Sequence, residues 1–273
     1  MAVGISPARI LVLFLFVFTL AALPAGAQLV DVSWIESAFV NADAATDGQA
    51  GSDNLMPEDQ NAALSASGYS ISGSVSFMSP GAPNATSTIT GSYTSGLSFL
   101  GGTSYCRIDL ELAVRQTSTH TGTPGMIPVR VVANGTADAD GDAALFAVAN
   151  ATFDLATQSG PLIGEQAIVD NSEGTASDAF NVNTVVHIPV DVVAFGALTA
   201  SANIAGEGLQ GGTSSSATAF VDPIIEVDDQ TIPGSSASYR DHYEIEFAAG
   251  WWALGPAPTK ETTWGKIKRL YAN

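Results

Sequence analysis

From Tyr69 to Phe247 the chain is written in short runs that alternate apolar and polar residues. Tyr69, Ile71, Val75 and Phe77 share one side, with Gly73 between them, and Ser70, Ser72, Ser74 and Ser76 share the other. Successive side chains of a strand point to opposite faces, so this period of two predicts a half-buried strand. Arg107 to Gln116 repeats it, with Ile108, Leu110, Leu112 and Val114 inward and Arg107, Asp109, Glu111 and Arg115 outward. Ile127 to Ala133 is β-branched and leads to Asn134-Gly135. In Ala143 to Leu155, Leu145, Phe153 and Leu155 are in phase with alanines between them, thin faces that suit two sheets lying close together. Phe180 to Ala194 carries Phe180, Val182, Val186, Ile188, Val190 and Val192 on one side. Pro189 inside that run cannot donate to a ladder, which predicts a bend, a bulge or an edge. Ala197 to Ile204 and Ala217 to Val221 follow. Asp222-Pro223 reads as a break before Ile224 to Val227, and Tyr243, Ile245 and Phe247 make the last strand.

Clusters of Gly, Pro, Asn and Ser punctuate these runs, and no long helical period competes with them. The sum is about nine to eleven short strands with turn signals roughly every 8 to 15 residues, an all-β pattern. It predicts a single β-sandwich, jelly-roll-like, over 68–250. Residues 28–67 lack the regularity. Val30 to Val40 reads as one strand or one helical turn. Asn41 to Gln60, with Asp43, Asp47, Asp53, Glu58 and Asp59 among small residues, reads as a solvated loop.

The N-terminus changes the picture of where this sandwich works. Arg9 is the only charge before Asp31, Ile10 to Leu23 is apolar but for Thr19, and Pro24 precedes the small residues Ala25-Gly26-Ala27. This is the layout of a secretory signal peptide over 1–27, too short to span a bilayer as a helix. The expected location is therefore outside the cell, secreted or at the surface, with no transmembrane segment left after the leader is removed. Charged residues make up only 13% of the chain, against about 25% in ordinary domains, so Ser, Thr, Asn and Gly must cover the surface. Acidic residues number 27 against nine basic, one of which leaves with the leader. Nucleic acid is excluded as a partner, because little here can neutralise phosphate. Cys106 is the only cysteine, so no internal disulfide exists; it falls on the inward side with Ile108 and Leu110 and reads as a small core residue.

Candidate chemistry is sparse. Asp138, Asp140 and Asp142 alternate in Ala-Asp-Ala-Asp-Gly-Asp. Calcium takes about six to eight oxygens, and an EF-hand starting at Asp138 would need Gly and Glu where Ala143 and Ala149 stand. Asp140-Gly141 also suits a hairpin turn. The three aspartates remain a calcium candidate that needs help from another loop; no other cofactor is expected. Asp222, Glu226, Asp228 and Asp229 form a second acidic group, read as polar edging. His120, His187 and His242 have no metal-ligand spacing, and Asp241-His242 lacks a nucleophile elbow to complete a triad. Glu111, Glu165, Glu207, Glu226, Glu244 and Glu246 qualify as glycosidase carboxylates by type alone. No catalytic residue is assigned. Trp251-Trp252 reads as closing one end of the core.

Ile127-Pro128-Val129-Arg130-Val131-Val132-Ala133-Asn134-Gly135 resembles a recurring Pro-Val-x-Val-x-Ala-x-Gly strand. Ala217 to Asp228, followed by Tyr243 to Gly250, is similar to a recurring Ala-x-Ala-x-x-Asp-Pro-x-Ile-x-Ile-Asp … Tyr-x-Ile-x-Phe-x-x-Gly ending. Both occur in uncharacterised secreted bacterial β-sandwich proteins of the PEP-CTERM, exosortase-associated type. The resemblance covers about residues 100–250 and implies a fold and a secretion route. The Val-Pro-Glu-Pro motif and apolar helix of that type are absent. In their place, residues 251–273 hold a Trp/Pro linker and a short basic tail, in which Trp264, Gly265, Lys266, Ile267, Lys268 and Arg269 are the candidate sorting or docking residues. The expected function is a non-catalytic extracellular or cell-surface protein, structural or adhesive, with the cell surface, a glycan or its own copies as partners. The alternatives are a carbohydrate- or calcium-binding module and, third, a carbohydrate-active enzyme.

Overall fold

The computed structural model describes Leu29 and residues 33–248, apart from 44, 52–58, 80–81, 96, 119–124, 143 and 210. The leader over 1–27, His120, Trp251, Trp252 and the tail residues Trp264 to Arg269 lie outside the described residues. The elements are β1 (Ser33–Ala42), β2 (Ala45–Gly51), β3 (Gln60–Ala66), β4 (Tyr69–Ser79), β5 (Ala82–Tyr93), β6 (Phe99–Gln116), β7 (Met126–Gly141), β8 (Phe146–Thr157), β9 (Gly160–Asp170), β10 (Ala176–Pro189), β11 (Val193–Glu207), β12 (Thr213–Val227), one helical turn α1 (Tyr239–His242) and β13 (Tyr243–Phe247). They form two antiparallel sheets. The first runs β2-β1-β6-β11-β8-β9, with β13 also on β6, and the second runs β10-β7-β12-β5-β4-β3.

The pairs β8–β9, β7–β10, β6–β11 and β5–β12 are nested in sequence and antiparallel. A long hairpin of four strands each way, rolled so that alternate pairs fall in opposite sheets, is a jelly roll. The expected fold is therefore present, with β3 and β4 added beside β5 and β1, β2 and β13 added around β6. β1 pairs with β6 from Asp109 to Leu100, and β13 pairs with it from Gln116 to Leu112.

The interior follows the alternation. Ile71, Phe77, Ile89, Ile108, Leu112, Val131 and Phe153 are buried, and each fully buried large side chain contributes about 1.5–3 kcal/mol. Ala147, Ala149 and Ala151 of β8 and Ala217 and Ala219 of β12 are also buried, as thin facing sides require. The sheets approach closely enough for Ser87 Oγ to donate to the Ser104 carbonyl at 2.7 Å, and for Ser104 Oγ to donate to the Thr88 carbonyl at 2.9 Å. Gly73 makes room for this link, since a Cβ there would sit 2.6 Å from Ser104 Oγ. Cys106 is a core residue as read; burial pushes its thiol up to about 12.

Several boundaries differ from the pattern reading. Within 28–67, where an irregular segment is expected, the described residues form three strands, the first of them β1 from Ser33. Ala38, Val40 and Ala42 are inward and buried, but so is Glu36, which hides the alternation. β2 is half-buried at Ala45, exposed over 46–50, and carries no apolar signal. The total is thirteen strands among the described residues. Asp222-Pro223 does not break β12. Beyond Val221 that strand pairs only with β7, so the missing N–H costs one ladder bond at most. Asn134-Gly135 sits inside β7, where Gly135 leaves space for the Phe180 ring. The Phe180–Ala194 run is two strands in different sheets. β10 is an edge strand ending at Pro189, and Asp191 turns the corner with φ 60°.

Side-chain hydrogen bonds bridge both pairs of outer strands. Asp47 of β2 accepts a bond from the Ala63 N–H of β3 at 2.8 Å, and Gln49 accepts from Asn61 N–H at 3.1 Å. At the opposite rim, Asp178 of β10 accepts from the Ile168 N–H of β9 at 3.3 Å. Side chains of one sheet thus occupy edge N–H groups of the other, which blunts strand-to-strand association.

Candidate functional site

The outward positions of β4, of β5 and of β12 as far as Thr218 are mostly short hydroxyl side chains set in rows by the register. Ser70, Ser92 and Ser214 stand side by side on β4, β5 and β12; Ser72, Thr90, Ser216 and Asp140 form the next row; Ser74, Thr88, Thr218 and Asp138 the one after. Neighbours bond across the strands, Ser70 to Ser92 at 2.8 Å and Ser72 to Thr90 at 3.0 Å. At one end the face dips into an open trough of about 300 Å³, walled by Ser70, Thr90, Ser92, Ser214, Ser216 and Asp140. Gly91, Gly141 and Ser215 form its floor.

That floor is braced from below. Asn171, in the turn after β9, is fully buried. Its Oδ1 accepts from Ala147 N–H at 2.8 Å, and its Nδ2 donates to the Leu145 carbonyl at 3.1 Å, the Asp142 carbonyl at 3.2 Å and Ser215 Oγ at 3.0 Å. Ser215 Oγ donates in turn to the Asp142 carbonyl. Asp140 is held on the trough wall by Thr175, whose hydroxyl donates to its carboxylate.

The aspartates singled out from the sequence are only partly brought together. Asp138 and Asp140 share the outer face of β7, whereas the Asp142 carboxylate lies past the strand end and accepts from Ala144 N–H at 2.9 Å. Asp140-Gly141 is not a hairpin turn, because β7 and β8 lie in different sheets; Gly141 ends the strand with φ 115°. Among the described residues no group of three or more His, Cys, Asp or Glu side chains converges as a metal site.

The second acidic group lies on and just past the end of β12 that pairs only with β7. Asp228 is buried and paired with Arg130 at 3.2 Å, while Glu226 pairs with Arg240 at 3.1 Å. Asp222 keeps a buried Oδ1 with no hydrogen-bond partner, and burial pushes its carboxyl up. The Asp241 carboxylate caps α1, accepting from Ser238 N–H at 2.9 Å, and hydrogen bonds from Ser238 hold it below the usual range. The His242 ring instead meets Ser118 Oγ through Nδ1, at 2.7 Å. In a serine triad the acid holds Nδ1, so this is not that arrangement.

On the outer face of the first sheet, Arg107 forks onto Asp109 with contacts of 2.6–3.0 Å. Burial pushes the Asp154 carboxyl up, and Arg107 partly offsets this. Sequence reasoning missed the trough, because its walls come from four strands that only the fold makes neighbours. The alternating Ser and Thr at 70–76, 86–92 and 214–218 was the available signal. No family model matches the chain, and no curated protein matches it.

Proposed function

We propose that this is a secreted, non-catalytic β-sandwich acting at the cell surface or in the extracellular medium in an adhesive or structural role, with the outer face of the second sheet as its contact surface. The observation that carries this reading is the face itself: rows of short hydroxyls bonded to one another across β4, β5 and β12. Short, mutually bonded side chains lose little freedom when a partner settles on them, which lowers the cost of association. The bridged rims add support. A protein that works outside the cell at high local concentration needs its strand edges occupied, so that contact is made by the face and not by sheet extension. The leader pattern over 1–27 and the resemblance to exosortase-associated proteins supply the export route in this reading.

The test is fractionation of producing cells, followed by an adhesion assay with the purified secreted protein and a Thr88→Lys/Thr218→Lys variant. The expected result is protein in the medium or on the surface, with adhesion weakened by the two lysines. Retention in the cytoplasm, or release of sugar from any glycan by the wild type, would overturn the reading.

A further inference from the structure

We propose that the trough on the second sheet is a binding site for neutral, polymeric glycan. This deepens the adhesive reading above and rests on it. Its walls offer five hydroxyl groups and one carboxylate, and the lining residues include no cation and no aromatic ring. An anion would meet no positive charge there, on a chain whose net charge is already −18. An apolar ligand would have to desolvate hydroxyls and a carboxylate without replacing their hydrogen bonds, which is unfavourable. A polyol matches the lining group for group. Each sugar hydroxyl both donates and accepts, and so does each serine or threonine hydroxyl of the wall. The Asp140 carboxylate accepts only, and charge-assisted bonds from a sugar diol are the strongest contacts the trough can make.

The site is preformed. Thr175 holds Asp140, Ser70 and Ser92 hold each other, and Asn171 fixes Ser215 beneath them. Its volume of about 300 Å³ lies at the lower end of ligand sites and admits one or two sugar units. With no ring to stack against, one such contact is weak. The trough opens onto the hydroxyl rows of the same face, so a polymer can engage both, and linked weak contacts multiply.

Affinity electrophoresis tests this with the full secreted protein in native gels containing dextran, laminarin or xylan, with dextran sulfate as the anionic counterpart. At least one neutral polymer should retard the wild type. Asp140→Asn, which keeps the shape, should weaken the retardation about tenfold or more. Ser216→Lys should do the same, and Thr199→Lys on the opposite sheet should not. Melting curves confirm that each variant is folded. Retardation by dextran sulfate alone, by none of the polymers, or equally in wild type and both trough variants would overturn the proposal. Adhesion that persists in those cases would leave the broader reading standing, whereas glycan turnover would remove the broader reading first.

Discussion

Asn171 offers the sharpest test of how this sandwich is held together. It is a fully buried polar side chain that closes three corners at once: the end of β7, the start of β8 and the start of β12. Asn171→Ala would leave the buried Ala147 N–H and Leu145 carbonyl without their side-chain partner. An unsatisfied buried group costs about 1–3 kcal/mol, so two of them with a small cavity should cost roughly 3–5 kcal/mol. That is at the upper end for single substitutions. For a domain of this size the melting temperature should fall by roughly 10–15 °C. Asn171→Asp separates packing from hydrogen bonding. It keeps the shape but replaces the Nδ2 donor by an oxygen facing the Asp142 and Leu145 carbonyls and Ser215 Oγ. At neutral pH it should be at least as damaging as alanine, and acidification should restore part of the loss as the carboxyl gains a proton and can donate. Urea titrations followed by far-ultraviolet circular dichroism measure both. A loss below about 1 kcal/mol for alanine, or an aspartate variant as stable as wild type at pH 7, would refute the account.

Opening the rims should cause association: an Asp47→Ala/Asp178→Ala variant is expected to elute as larger, concentration-dependent species in size-exclusion chromatography with light scattering, while remaining β-rich. Asp222→Asn should raise the melting temperature at pH 7. Burial raises this carboxyl above its unfolded value, so its charged form opposes folding once pH exceeds the folded pKa. The gain should vanish below the unfolded value, near about 4, and a lower melting temperature at pH 7 would contradict it. Asp43 has the opposite sign. Bonds from Ser98 and Phe99 hold its carboxyl below the usual range, so its contribution is present at neutral pH and lost as acidification passes through the folded pKa. Thermal scans between pH 5 and about 2 should show a steeper acid loss for wild type than for Asp43→Asn.

The strands themselves were legible because alternation is local. Ser70 to Phe77, Arg107 to Gln116 and Tyr243 to Phe247 each state their buried side within a few residues, and the all-β class follows from their number. The chain also announced its thin alanine faces and the buried place of Cys106. β2 and β3 were not legible, and β1 only as one of two alternatives, because Glu36 occupies an inward position and β2 buries almost nothing, so neither β1 nor β2 offers a clean apolar period to read. Nor could the sequence assign partners. Ala85 pairs with Val221 and Ala42 with Leu100, and nothing near either residue encodes the other. Those pairings are chosen by the collective burial of two whole sheets, a long-range quantity. The trough inherits that property: four strands had to be ordered β4-β5-β12-β7 before its hydroxyls and Asp140 could stand together, and Asn171 had to fold beneath them. Local patterning decided which way each side chain faces; global packing decided what it faces.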